Sequence, residues 1–461
     1  MISWLAYAAD SIGTPSPTKI GSCLVFARAV GRRISALSRR LPILAIRDFR
    51  LLLADRVLAP ASFAFSLIGV SFAVLNVTHG STAALSYVLA AQIAPSIFFV
   101  LLGGVVADRI APQKVIVAGN LMMAVGEGAF GLLVLTGHPA LWQMIALECL
   151  TGTGMAIFYP ASTALLPRIV PADAMQQASA VSRLAMNGAQ MGGSVLAGFC
   201  IAVIGPGWAL VICGTGLLGT LPLMLSLRVT SHERGQDASM LRDLKEGWSE
   251  FRSHTWIWVI TAQFAVVMMA WYGGFTVLGP AVLRLHFGPH QGPAAWGAIA
   301  GAESLGLITG GLASLRFAPR RPALFVVLVG ASVAISPLAL AMFWPLPLIC
   351  AASFALGIAI EMMMVQWTVA MARAVPADKL ARVASYDALG TVIATPAGAV
   401  LAGPIAVLVG VSRTQAGAAA LIVIASLLAL IPKDIRQLRG GREAAPVPKA
   451  SEPALADAIG N

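Results

Sequence analysis

Polar residues in this chain gather into short intervals between long apolar runs, and twelve such runs follow one another from Phe49 onward. In the first half they cover about 50–77, 83–106, 114–136, 141–166, 175–204 and 207–227. In the second they cover about 255–283, 294–315, 322–344, 346–373, 381–410 and 414–432. Each is about 20 residues or longer, which at about 1.5 Å per residue crosses the roughly 30 Å of a bilayer's hydrocarbon core. With no water in that layer, every backbone amide must find its partner within its own segment, so each run is predicted to be a helix. Pro60, Pro95, Pro280, Pro337 and Pro396 are predicted to kink helices and not to break them.

The two sets of six echo one another. GGVVADRIAPQK at Gly103–Lys114 returns as GGLASLRFAPRR at Gly310–Arg321, 207 residues later. RIVPAD at Arg168–Asp173 returns as RAVPAD at Arg373–Asp378, and VLAG at Val195–Gly198 as VLAG at Val400–Gly403, both 205 residues later. Paired halves in an apolar chain are a signature of secondary transporters. The predicted fold is an all-α polytopic membrane protein with twelve transmembrane helices in two pseudo-symmetric six-helix bundles.

Composition agrees: 58% of the residues are hydrophobic and 11% charged, against roughly 25% charged in soluble domains. The formal charge of +11 raises the question of a nucleic-acid partner, and the placement of the basic residues answers it. The connections near 78–82, 137–140, 205–206 and 345 carry no Lys or Arg, whereas apart from Arg284 and Arg413 the loop cations fall in the tails and the alternate connections. That asymmetry predicts both termini in the cytoplasm, the charge facing anionic lipid headgroups, and no nucleic-acid partner. Cys23, Cys149, Cys200, Cys213 and Cys350 have no metal-ligand spacing and read as packing residues; His286 and His290 read as an incidental loop pair. There is no GxxxxGKS phosphate loop, and neither a metal nor a cofactor is expected.

These signals divide the chain into five parts. Residues 1–48 form a basic cytoplasmic arm without expected structure and without the features of a signal peptide; 49–227 and 255–432 are the two bundles; 433–461 is a polar tail. The connection 228–254 is the one long polar interval between spans. In it Met240, Leu241, Leu244, Trp248 and Phe251 fall near helical spacing, which fits either a helix in the membrane interface or an extension of the seventh span.

The loop GGVVADRIAPQK resembles the signature G-x-x-x-D-R-x-G-R-R/K of the major facilitator superfamily, with Gly104, Asp108 and Arg109 matching and Ala111, Pro112 and Gln113 departing. With FYPASTALLPRIVPAD at Phe158–Asp173 and DLKEGWSEFRSH before the seventh span, the chain resembles the branch that contains the enterobactin exporter and macrolide efflux proteins. The resemblance implies a latch at that loop, in which glycine allows close approach, Asp108 faces a helix N-terminus and Arg109 ties the loop to acids or lipid phosphates. The second copy keeps Arg316 but has Leu315 where Asp108 stands in the first. In the fifth span GAQMGG resembles the antiporter signature, so Gly188, Gly192 and Gly193 are expected either at a helix-packing hinge or in generic small-residue packing.

Ionisable groups inside a membrane cost ~2.5–3.5 kcal/mol each on insertion scales and point to function by default. The candidates are Asp55, Arg56, Glu127, Glu148, Glu303, Glu361 and Asp387. The family's architecture lines its central path with spans one, four, seven and ten, which selects Asp55, Arg56, Glu148 and Glu361. Glu361, mid-span in GIAIEMMMVQW, is the leading proton carrier, with a purely structural carboxyl as the other reading. Asp55 and Arg56 read either as part of that path or as a mutual pair near the cytoplasmic end. The family often has Arg in the fourth span, where Thr151 stands here, and a small or polar residue near Phe63, so a more apolar path is implied. Trp271, Tyr272, Phe275, Met362, Met363, Met364, Gln366 and Trp367 fit an adaptable substrate surface, or packing and lipid contact.

The expected function is proton-coupled efflux of a small amphipathic or hydrophobic molecule, drug-like or siderophore-like, by an antiporter acting as a monomer among membrane lipids. Lysophospholipid flipping and solute uptake by a symporter are the alternatives within transport, and a polytopic membrane enzyme or sensor is the alternative outside it.

Overall fold

A computed structural model of the chain describes residues 42–107, 112–137, 139–171, 174–227, 248–314, 316–317 and 319–437. Most of the predicted arm and tail, the Asp108–Arg109 signature and most of the central linker lie outside the described residues. Among those described there is no strand. The long helices of the first half are α1 (Arg47–Val77), α2 (Thr82–Ala107), α3 (Pro112–Leu135), α4 (Leu141–Ile169), α5 (Met175–Ile204) and α6 (Pro206–Leu225). In the second half α7 comprises Thr255–Trp271, a π-helical segment Tyr272–Val277 and the first arm of Leu278–Ser314. That last helix turns back at Gly288 (φ 79°, ψ 175°), and its second arm is α8. α9 (Pro322–Ser332 and Ile335–Ala341), α10 (Leu346–Ala374), α11 (Ala377–Val409) and α12 (Val411–Ala429) follow. Ten stretches among the described residues are long and apolar enough to cross a membrane, one of them running through the Gly288 turn, and Thr82–Pro95 is a shorter apolar helix within α2.

Three local departures from the expected spans have physical causes. The connection expected between 283 and 294 is a single break, because Gly288 supplies a positive φ and Pro289 opens α8, where its missing N–H costs little, with Pro293 one turn further on. Pro337 does more than kink: it cannot donate to Val333, and α9 is interrupted by a turn at 333–334 with Ser336 N–H reaching Val333 O at 3.3 Å instead. The π-helical Tyr272–Val277 precedes Pro280, which cannot bond back to Thr276.

Each half repeats the same pairings. α1 packs on α5 and α6, α2 on α4, and α3 on α4 and α6; in the second half α7 packs on α11 and α12, α8 on α10, and α9 on α10 and α12. The repeated sequence therefore folds as a repeated structure. The halves meet along two equivalent seams, α5 with α8 and α2 with α11.

The helix termini fall at two ends. The turn end carries 78–81, 136–140, Gly205, Gly288, 342–345 and Gly410; the linker end carries the tails and the connection between the halves. At the turn end the seams are closed. A Cβ on Gly198 would lie 2.7 Å from Pro293 O and 3.0 Å from Gly297 Cα, so only glycine lets α5 and α8 touch there. Thr82 Oγ1 donates to Gly403 O at 3.3 Å, Gly403 N–H donates to Ser86 Oγ at 2.6 Å, and Arg284 Nε donates to Asn76 Oδ1 at 3.1 Å. Phe65, Phe72, Ile201, Phe275 and Trp296 form one buried apolar core across the halves at this end.

Residues 248–253 are helical, and the chain leaves helical geometry at His254 (φ −99°, ψ 91°) before α7 begins. This turn is separate from α7 and is seated on the second half. Tyr386 meets the rings of Trp248 at 5.4 Å and Phe251 at 5.9 Å, and Lys379 Nζ bonds Glu250 Oε2 at 2.9 Å.

Candidate functional site

The site begins with glycines. A Cβ on Gly310 would lie 2.5 Å from Ile358 O, and one on Gly306 would collide with Phe354 O, so these glycines bring α8 against α10. Gly311 stands 3.7 Å from Glu361 Cγ by the same measure, and the Glu361 carboxyl is carried past it toward the first half. There Glu361 Oε1 accepts from Arg183 Nη1 of α5 at 3.0 Å, an ion pair between the halves. Its members differ in exposure: 69% for the Arg183 side chain and 14% for that of Glu361. Arg183 lies about 12 Å into α5 from the linker end at 1.5 Å per residue, beyond the closed part of the seam.

Arg56 also reaches α5. It donates through Nη2 to Ser162 O of α4 at 3.0 Å and reaches Met186 Sδ of α5 at 3.6 Å. Arg56 thus ties α1, α4 and α5 together, one helical turn from Arg183 along α5. Asp55, its neighbour, points elsewhere: 1% exposed, it accepts from Asn120 Nδ2 at 3.3 Å, and the same amide donates to Thr220 Oγ1 at 2.7 Å. Asp55 belongs to the core of the first half, and Arg56 to the surface facing the second.

Glu127 and Glu148 are buried. Glu127 accepts from Ser66 Oγ at 2.6 Å and Glu148 from Gln92 Nε2 at 2.8 Å, both fully enclosed in the first half. Asp387 accepts from Thr261 Oγ1 at 2.7 Å and Trp367 Nε1 at 2.9 Å within the second half.

The candidate substrate residues separate in the same way. Met363, Gln366 and Trp367 are buried in the second half, where Gln366 donates to Phe317 O at 3.0 Å and Trp367 to Asp387. Trp271, Tyr272 and Phe275 lie on the α7 π segment or beside it. Trp271 stacks on Phe275 at 5.6 Å and Phe275 meets Trp296 at 5.1 Å with the rings tilted, inside the turn-end core, while Tyr272 packs against the α2 side of the interface. Among the fifth-span glycines, Gly193 is pressed on α1, with Ala61 O 2.6 Å from a Cβ, whereas Gly188 and Gly192 face open space. Gly104 is in the last turn of α2 and Arg316 is exposed in the turn after α8; Asp108 and Arg109 lie outside the described residues.

Arg183 was not among the sequence-derived candidates. Its signal was present, since a charge at the ninth position of an apolar span from Met175 to Ile204 is as costly as any carboxylate there. Gln92 and Asn120, which complete the buried carboxyl sites, carry no charge and gave no such signal.

Two equivalent helical halves, sealed at one end and joined nearer the other by a partly exposed ion pair, are the architecture of a membrane transporter. The chain belongs to the Major Facilitator Superfamily, whose family profile matches residues 57–341. It is 27% identical over 352 residues to the enterobactin exporter EntS of Citrobacter koseri, covering 76% of this chain and 82% of that one. To the enterobactin exporter EntS of Escherichia coli O1:K1 it is 26% identical over 343 residues, 74% and 81% of the two chains. In fold it is similar to the nucleoside transporter NupG (TM-score 0.65, 11% identity, 83% of this chain and 99% of that one). It is also similar to a bacterial homolog of the human lysosomal transporter Spinster in an inward-facing, unoccupied conformation (TM-score 0.58, 15% identity, 85% and 99% covered).

Proposed function

We propose that this protein is a proton-coupled exporter of a small amphipathic or hydrophobic molecule in the inner membrane of a bacterium, working as a monomer by alternating access. The observation that carries the reading is the Arg183–Glu361 pair between the halves. With the linker end and both termini in the cytoplasm, as the basic residues predict, the closed turn end faces outward. Glu361 without its proton pairs with Arg183, as in the structure, and holds the halves together toward the cytoplasmic side. A proton on Glu361 removes the attraction and lets that side stay open.

Antiport follows from this coupling. Proton release to the cytoplasm favours closure over the substrate, and protonation from outside favours return. Because Arg183 is mostly exposed, the pair biases the equilibrium by only ~0.2–1 kcal/mol and does not lock it. Each inward proton supplies ~2.3 kcal/mol per 100 mV of membrane potential, which is what makes export against a gradient feasible. Export is favoured over uptake by the likeness to enterobactin exporters. Arg56, between Ser162 and Met186, supplies a second cation.

The test is accumulation of dyes and drugs in efflux-deficient cells expressing the chain, with and without a protonophore, beside Glu361→Gln at equal expression. Lowered accumulation that both the protonophore and the substitution abolish is expected. Accumulation unchanged across a broad panel overturns amphipathic-drug export and directs the search to solute uptake or lysophospholipid flipping. Export lost with the protonophore and kept in Glu361→Gln overturns the assignment of Glu361.

A further inference from the structure

A second acidic site lies inside the first half, away from the pair between the halves. Glu127 of α3 and Glu148 of α4 have no exposed side-chain surface. The two helices approach closely at this level: a Cβ on Gly126 would stand 3.0 Å from Leu147 O and would collide with Thr151 Oγ1. Each carboxyl has one oxygen served, Glu127 Oε1 by Ser66 and Glu148 Oε2 by Gln92. The other oxygen of each, Glu127 Oε2 and Glu148 Oε1, is buried without a hydrogen bond, and so is Thr151 Oγ1.

The charges around the two acids make this arrangement untenable as two carboxylates. Glu127 follows Gly126 and Glu148 follows Leu147 at that close contact, so the two acids stand on facing turns of α3 and α4. The other titratable groups within electrostatic reach are the Cys213 thiol of α6 and the Tyr272 phenol of α7, both without positive charge; no Lys, Arg or His acts on either acid among the described residues. Two uncompensated carboxylates in an apolar core cost several kcal/mol each even after relaxation. A carboxyl that keeps its proton removes its own charge and becomes a donor, which an orphaned oxygen nearby can accept.

We propose that Glu127 and Glu148 form a proton-binding site of the first half that retains at least one proton at neutral pH, separate from the Arg183–Glu361 pair. A hard cation fits less well, because such ions take about six oxygens and three are orphaned here. The site is closed to water while the turn end is sealed. Tyr272 of the opposite half is the group beside Glu148 that withdraws when the halves part at that end, so opening there gives the site its route for exchange. The inference concerns proton occupancy and does not depend on the direction of transport or on the substrate.

The experiment is infrared spectroscopy of the full chain in lipid vesicles near pH 7, reading the C=O stretch of protonated carboxyls that exchange slowly into heavy water. Wild type, Glu127→Gln, Glu148→Gln, the double variant and Glu361→Gln are compared. A slowly exchanging band is expected in wild type, shifted in each single variant, lost in the double variant and unchanged in Glu361→Gln. Glutamine matches the shape of the protonated acid, so the single variants should fold; if the double variant does not, a band unmoved in both singles overturns the proposal. So does a wild-type spectrum without the band. Abolition of the band by sodium at constant ionic strength overturns it in favour of a cation site.

Discussion

Gly198 of α5 and Gly297 of α8 touch backbone to backbone across the two halves: a Cβ on Gly198 would come within 3.0 Å of Gly297 Cα, and one on Gly297 within 2.9 Å of Gly198 Cα. Gly403, which ends the second VLAG as Gly198 ends the first, holds the equivalent seam through Ser86 and the backbone of Thr82. One repeated tetrapeptide thus closes both seams at the turn end. The protein seals that end with close-packed backbone and the Phe72–Trp296 core, and nearer the other end the Arg183–Glu361 pair joins the halves. Small residues are what make such a seam possible, since in lipid the helices gain by packing and not by expelling water.

Gly198→Leu should therefore weaken the turn-end seal. Overpacking a tight contact costs ~1–3 kcal/mol, and here the strain is relieved by parting the halves, so the population with an open turn end should rise by about 5- to 150-fold. Spin labels on 78–80 and 286–288 would report a longer distance, and transport should fall. Gly188→Ala is the control: nothing lies within 4 Å of its Cβ, and removing a mid-helix glycine should leave transport unchanged and stability equal or slightly higher.

The Arg183–Glu361 pair should behave as one unit. Arg183→Ala and Glu361→Gln should each shift the label distance at the linker end in the same direction, and the double variant no further than either alone. A coupling of ~0.2–1 kcal/mol is expected for a pair this exposed. Additive shifts would mean that the two residues act on different partners. The reversed pair, Arg183→Glu with Glu361→Arg, should restore the distance, although not proton coupling, since arginine does not release its proton in this range.

Much of this was legible in the chain, and the reasons are local. Apolar length predicts a spanning helix because the backbone has no other partner in lipid, and the VLAG and GG repeats mark close approach because few residues except glycine permit it. What periodicity does not reveal is which faces meet. Met363, Gln366 and Trp367 have the composition of a binding surface, yet α10 turns them into its own half, toward Phe317 and Asp387, and presents Glu361 to the other half. The charge of Arg183 inside an apolar span is visible in the chain, but its pairing with Glu361, 178 residues away on the other half, is not. Gly288 concealed a turn that looked like a ten-residue loop, since one positive φ and two prolines do the work of the whole connection.

Asp55 and Arg56 adjoin in sequence and should separate in experiment. Asp55 points into the α1–α3–α6 core, where Asn120 bridges it to Thr220; Arg56 points to α4 and α5. Asp55→Asn keeps an oxygen that can accept from Asn120 and should preserve both folding and transport. Asn120→Leu leaves a buried carboxyl without its donor, at ~1–3 kcal/mol, and should lower the thermal unfolding midpoint in detergent by several degrees. Arg56→Gln should do the opposite, changing the midpoint little while transport falls, because it removes the charge that reaches α4 and α5 and leaves the core network intact. If Asp55→Asn abolished transport at an unchanged midpoint, the carboxyl would be part of the coupling chemistry, and the division of roles drawn from the two side-chain directions would be wrong.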